Sequence, residues 1–377
     1  MATISYLTTI EFDHGAVKTL PDALTALEID RPLLVTDRGI VACGLFERLS
    51  EALPSEASWT LFEDTPPNPT ESAVQDALAR YREVGCNGLI AFGGGSSIDL
   101  AKAVGLLATH DGPLVQYAAA LGGVAKITPA VAPLIAVPTT AGTGSEVGRG
   151  ALITLADGRK LGFLSPHFIP KRAICDPELT LGLPPGLTAA TGMDALTHCI
   201  ETFLSPRINP PAEAIAIDGA ARAMSWIERA FGDGSDRDAR WHMMMASLQG
   251  GMTFQKGLGA VHAMSHPLGG LSELKLHHGT LNAVILPAVL RFNAGHVGDK
   301  YERLCSALGL EPGTDLAATI ENLNRRLGLP ESLRAMGVGD SVIPAMVEGA
   351  LADHCAATNP RPATAEDYSS LFEAALG

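Results

Sequence analysis

A change of hydrophobic rhythm near residue 183 restricts the fold more than any other feature of the chain. Before it, short apolar runs alternate with amphipathic stretches: PLLVTD (32–37), SWTLFED (58–64), GLIAFGGG (88–95) and PLIAVPTT (133–140), with helix-like segments over 38–53 and 71–85. Strand and helix in this alternation specify a parallel sheet covered on both faces by helices. After Leu183-Pro184-Pro185 the pattern becomes long Ala-, Leu- and Met-rich segments of helical period with few β-branched runs. The expected organisation is an α/β domain over residues 1–182, followed by an all-helical domain over 183–377. A chain of 377 residues also exceeds the usual size of one hydrophobic core.

Composition narrows the partners. The net charge of −14 disfavours a phosphate backbone or an anionic membrane, which require clustered Lys and Arg. No nucleic acid and no membrane are therefore expected. The opening MATISYLTTIEFDHG lacks the basic, apolar and small-residue order of a secretory signal, so a cytoplasmic location is expected. Cys43, Cys86, Cys175, Cys199, Cys305 and Cys355 are scattered without CxxC pairs, which suits reduced thiols.

In GLIAFGGGSSIDLAK, Gly93, Gly94, Gly95, Ser96 and Ser97 lie between an apparent strand and a helix expected to begin near Ile98. Glycines there allow the backbone to approach a pyrophosphate, and the helix N-terminus offers unpaired N–H groups and a favourable dipole. A second loop, Thr139 to Glu146, again follows a strand and supplies hydroxyls and small residues. Asp37 closes the first strong strand, where an acid accepts from an adenosine ribose and repels a 2′-phosphate; capping the next helix is the simpler alternative.

The second half carries polar heads at helical spacing. Asp194 and His198 are four apart, as are His262 and His266, and residues four apart share one helix face. His277 and His278 follow, so that four histidines fall within seventeen residues of apolar or small-residue context. A carboxylate among apolar neighbours is costly unless compensated. Imidazoles with one carboxylate suit Fe(II) or Zn(II), whereas Mg(II) and Ca(II) prefer oxygen shells. Such a site polarises an alcohol oxygen as metal sites do bound water.

GGGSSIDLAK, PTTAGTGSEV, DPELTLGLPPGLTAATGMDALTHCIE, GAVHAMSHPLGG, HHGTLNAVILP and TNPRPATAEDY occur in the order seen in the iron-containing (group III) alcohol dehydrogenases, which the chain resembles over most of its length. The resemblance implies a dehydroquinate synthase-like architecture and reversible hydride transfer between NAD and a small alcohol or aldehyde. It implies Asp194, His198, His262 and His278 as metal ligands, for Fe²⁺ or Zn²⁺, and His266 as a histidine near the reacting oxygen that relays a proton. His277 stands where the family has proline, and the loop LSELKL before it is about two residues longer. Asn68, Gly94, Gly95, Ser96, Asp99, Thr139, Thr140, Thr143 and Lys160 match cofactor-lining positions, and Asp37 matches the acid that favours NAD over NADP. The family's usual threonine after Ser-Glu-Val is Gly148 here, followed by Arg149. A homodimer or larger homo-oligomer is the family's usual state.

Three other readings are weaker. A dehydroquinate synthase-like enzyme needs Lys and Arg beside the metal, and only Lys256 and Lys275 stand near those motifs. A maleylacetate reductase works without metal, and a non-catalytic NAD-binding module has no use for His266 beside a complete ligand set.

Overall fold

Apolar runs with β-branched residues and no polar alternation form strands buried on both faces, and three of the runs do so. β2 (Pro32–Val35), β4 (Gly88–Gly93) and β5 (Leu134–Pro138) are buried throughout, as parallel strands between two helical layers must be. Their side chains alternate between two cores. Leu33, Val35, Leu89, Ala91, Leu134 and Ala136 pack on one face, and Leu34, Ile90, Phe92, Ile135 and Val137 on the other. In this computed structural model, which describes residues 8–54, 58–271 and 273–377, β1 (Thr9–Phe12), β3 (Thr60–Phe62) and β8 (Arg172–Cys175) complete a parallel sheet of order β1-β8-β5-β4-β2-β3. β6 (Gly150–Thr154) and β7 (Lys160–Leu164) form a separate antiparallel hairpin.

Around the sheet lie α1 (Leu20–Ala26), α2 (Arg38–Ala42), α3 (Leu45–Ala52), α4 (Glu71–Val84) and α5 (Gly95–Leu107). The helix-like stretch 38–53 is two helices, because Gly44 takes a left-handed φ of 77° between them. α5 starts at Gly95, three residues before the expected Ile98, so Gly95, Ser96 and Ser97 belong to its first turn.

Residues 8–140 and Ser145–Thr180 form this unit; Leu181–Gly377 form a second, to which the short segment Ala141–Gly144 also belongs. The second unit is helical throughout: α6 (Pro185–Leu204), α7 (Pro210–Gly232), α8 (Arg237–Met252), α9 (Ala260–Leu268), α10 (His278–Asn293), α11 (Lys300–Ala307), α12 (Leu316–Arg326), α13 (Ile343–Ala352) and α14 (Ala365–Leu376). α6 is buried on every side from Thr188 onward, with α7, α8 and α10 packed around it. None of the described helices is long and apolar enough to cross a membrane.

One buried cation fixes the loop after Gly144. Lys102 of α5 is wholly buried, and its ammonium donates to Ser145 Oγ (2.7 Å) and to the carbonyls of Ser145 (2.8 Å), Gly148 (3.0 Å) and Gly150 (2.8 Å). Asp99, 4.0 Å away, supplies the counter-charge. Burial, opposed by Asp99 and Glu146, lowers the ammonium to about 8. Lys102→Met removes the donor and leaves three carbonyls and Asp99 buried without their partner. It is expected to destabilise this unit by about 3–5 kcal/mol, the cost of breaking a buried charge network from one side. Thermal unfolding followed by circular dichroism checks this, and an unchanged midpoint contradicts it.

Candidate metal centre

Three helices bring the four polar heads together. Asp194 and His198 project from one face of the buried α6, His262 from α9, and His278 from the first residue of α10. Asp194 Oδ1 lies 3.6 Å from His198 Nε2, 3.9 Å from His262 Nε2 and 3.8 Å from His278 Nε2. One ligand atom from each residue fits within 4.8 Å of all the others. The approach of α10 to α6 depends on Gly279: a Cβ there would stand 2.2 Å from the Ala190 carbonyl oxygen. Glycine in the His-Gly motif is therefore a packing requirement, and it delivers His278 to Asp194.

His262 and His198 are oriented through their other nitrogens. His262 Nδ1 lies 2.6 Å from Glu201 Oε2, while Glu201 Oε1 accepts from the Val261 N–H (2.7 Å). His198 Nδ1 meets the Gly142 carbonyl at 3.2 Å. Burial pushes His198 and His262 below the usual imidazole range, which keeps them neutral, the form that binds a cation. Burial also raises the Glu201 carboxyl to about 8; with a cation on Nε2, the one imidazole proton would sit on Nδ1 and be donated to Glu201, leaving Nε2 facing Asp194. Carboxylate–imidazole pairs of this kind set tautomer and ring orientation at metal sites.

The donor set tests whether a cation belongs here. Neutral imidazole nitrogens and a carboxylate oxygen are all acceptors at the point where they converge. The Asn282 amide, four residues after His278 on α10, donates to Asp194 Oδ1 (2.7 Å) and stands 3.1 Å from both His262 Nε2 and His278 Nε2. Two N–H bonds cannot satisfy that many acceptors, and the Asn282 carbonyl oxygen is itself buried without a partner. A divalent cation satisfies the set, and three nitrogens with one oxygen suit Fe(II) or Zn(II). His277 caps α10 and is exposed, so His278 is the one that converges with Asp194. Of the LSELKL loop, Ser272 lies outside the described residues.

His266 sits one turn beyond His262. Its Nδ1 bonds Asp353 Oδ2 at 2.8 Å, and its ring stacks on those of His278 (5.5 Å) and His354 (6.0 Å). Burial would push the Asp353 carboxyl up, but the adjoining His266 and His354 hold it down, at about 2. Asp353 and Glu201 were not singled out in the sequence. The DALTHCIE and ADHC contexts carry no spacing that announces their partners, which are 61 and 87 residues away. Lys256, one of two cations near the metal motifs, is buried on the Phe203 and Ser205 carbonyls and Glu213.

The α/β unit gathers most of the cofactor candidates at the carboxyl ends of its strands. Gly94 caps α5, with Gly95 and Ser96 in the first turn, and Ser96 Oγ donates to the Pro67 carbonyl (2.5 Å). Thr140 lies against Gly94, where a Cβ would be 3.4 Å from Thr140 Oγ1. Thr139 N–H donates to the Gly93 carbonyl (3.0 Å), and its hydroxyl is buried and unpartnered. Lys160 Nζ donates to Asn68 Oδ1 (2.8 Å). Asp99 is engaged internally, accepting from Ser145 Oγ (2.6 Å) and the Leu152 N–H (2.9 Å). Asp37 caps α2 through Oδ1, from the Gly39 and Ile40 N–H groups, and its Oδ2 faces Gly93. Thr143 falls in Ala141–Gly144, which belongs to the helical unit.

Comparison with known proteins agrees with both halves. The family described as iron-containing alcohol dehydrogenase matches residues 8–177, and its C-terminal domain family matches residues 188–376. The chain is 57% identical to a 4-hydroxybutyrate dehydrogenase of Cupriavidus necator, with both proteins covered completely. It is 36% identical to the lactaldehyde reductase of Escherichia coli strain K12, over 97% of each chain. A crystal structure of a 1,3-propanediol oxidoreductase superposes with a TM-score of 0.94 at 36% identity, covering all of both chains. The chain therefore belongs to the iron-containing alcohol dehydrogenase family and is an oxidoreductase of that family.

Proposed function

We propose that the protein reversibly oxidises the terminal alcohol of a short hydroxy acid, 4-hydroxybutyrate or a close analogue, with NAD as hydride acceptor and Fe²⁺, or alternatively Zn²⁺, at Asp194, His198, His262 and His278. The convergence of those four side chains on one point, with neutral imidazoles and a buried carboxylate, is the observation that carries the reading. The substrate class rests on the relative named for 4-hydroxybutyrate, to which 57% of the chain is identical. When bound, the cation stabilises negative charge on the substrate oxygen and NAD takes up the hydride.

The protein's residues do the rest. Asp353 accepts from His266 Nδ1–H and so fixes the tautomer in which Nε2 carries the lone pair. His266 Nε2 then takes up the alcohol proton as general base. The first turn of α5, with Gly94, Gly95 and Ser96, binds the pyrophosphate through its N–H groups. Thr139, Thr140, Thr143, Asn68, Asp99 and Lys160 shape the rest of the cofactor site, and Asp37 Oδ2 disfavours a 2′-phosphate and so NADP. A cytoplasmic homodimer or larger homo-oligomer completes the proposal.

The direct test is a screen of 4-hydroxybutyrate, 1,3-propanediol, 1,2-propanediol and ethanol with NAD and NADP, on protein of measured metal content. The highest kcat/KM is expected for 4-hydroxybutyrate with NAD; faster turnover of the uncharged diols refutes the substrate assignment.

The two histidines of α9 have different expected phenotypes. His262→Ala loses the metal and with it the activity. His266→Ala keeps metal and nucleotide while kcat falls by roughly 10²- to 10⁴-fold, the usual worth of a general acid or base. Elemental analysis and pH–rate profiles of both variants check this. A metal-free His266→Ala reverses the two roles.

A further inference from the structure

A second group of ligating side chains adjoins the first without sharing a residue. A ring nitrogen of His266, a carboxylate oxygen of Asp353 and Cys355 Sγ all lie within 4.8 Å of one another, with His266 Nδ1 on the Asp353 side. They are largely buried, at 7%, 14% and 1% exposure respectively. Asp353 uses Oδ1 to accept the Cys355 N–H (2.8 Å), which folds the Asp-His-Cys turn so that carboxylate and thiol converge on His266. His354, between them in sequence, is more exposed at 44%; its Nε2 lies 3.6 Å from Cys355 Sγ and its Nδ1 3.6 Å from Asp353 Oδ1. Ligand atoms around a tetrahedral zinc, at bonds of about 2.0–2.3 Å, stand roughly 3.3–3.7 Å apart. The His354 Nε2 to Cys355 Sγ distance fits that spacing, and His266 Nδ1 and Asp353 Oδ2, hydrogen-bonded at 2.8 Å, part by roughly half an ångström to take the ion between them. Two imidazoles, a thiol and a carboxylate form a mixed N, S, O set of the kind zinc and cadmium prefer over magnesium or calcium.

We infer that His266, Asp353 and Cys355, closed on the solvent side by His354, form a second site for a thiophilic divalent cation, and that filling it inhibits the enzyme. Binding makes one bond each from sulfur, oxygen and nitrogen to the ion. The Cys355 thiol proton leaves to solvent, and the His266 proton moves from Nδ1 to Nε2 as Nδ1 gives its lone pair to the ion; no electron is transferred. Nε2 is then an N–H and accepts no proton from the alcohol. The inhibition rests on the relay assigned to His266, whereas the site itself does not. Burial first, and then the Asp353 carboxylate, push the Cys355 thiol up; the carboxylate's charge, unlike burial, favours a dication in the same place.

The probe is cadmium, titrated into holoenzyme that carries one equivalent of its resident metal, in a Cys43→Ser background that removes the exposed thiol. The expected result is one further equivalent bound, an ultraviolet thiolate-to-cadmium band, and at least about 10²-fold loss of turnover that a chelator reverses. Cys355→Ser should keep its uninhibited rate and lose both band and inhibition. His354→Ala, a second variant should the first fail to fold, should weaken cadmium binding at least about tenfold. An undiminished band in Cys355→Ser, or release of the resident metal in step with added cadmium, overturns the site. Binding with the band but without inhibition supports the site and counts against the relay role of His266.

Discussion

A carboxylate cannot be buried in an apolar helix bundle unless something of opposite charge or strong donor character meets it, and Asp194 is that carboxylate. It sits in the middle of α6, whose whole circumference is covered by other helices. The neighbours brought to it are three imidazoles, two of them held below the usual range by burial, and one amide. The arrangement is short of positive charge, which a divalent ion would supply. The tight contact at Gly279 and the Glu201 clamp on His262 both serve that point.

The α/β unit poses the opposite problem, since the proposed pyrophosphate site needs helix N–H groups free to meet an anion. Gly93 makes this possible: a Cβ there would lie 2.5 Å from Ser97 Oγ, so no other residue lets the chain pass from β4 into α5 along this path. Lys102, further along the same helix, then holds the loop that begins at Ser145 by several carbonyls at once. One helix thus carries the proposed ligand-binding turn at its start and the loop anchor two turns later.

Local spacing made part of this legible in the sequence. The pairs Asp194/His198 and His262/His266 are four apart, and a helix places such pairs on one face whatever surrounds it. The buried strands were legible for the same reason, since β2, β4 and β5 are continuous apolar runs. What the sequence withheld depends on distant or single-residue effects. β1 and β8 are short and join the sheet edge through each other, 163 residues apart in their pairing. The split of residues 38–53 turns on the left-handed conformation of one glycine. Glu201 and Asp353 act on histidines in other elements, and Asp37 combines the capping role with whatever its second oxygen does. The choice between His277 and His278 needed the start of α10, which puts the first outside the helix and the second on its inner face.

X-ray absorption at the metal edge of iron- or zinc-loaded protein tests the central claim most directly, because it counts the donors themselves. The account predicts three imidazole nitrogens and one carboxylate oxygen from the protein, with one imidazole lost in His278→Ala and none in His277→Ala. A shell that keeps all its imidazoles in His278→Ala, or loses one in His277→Ala, would contradict it.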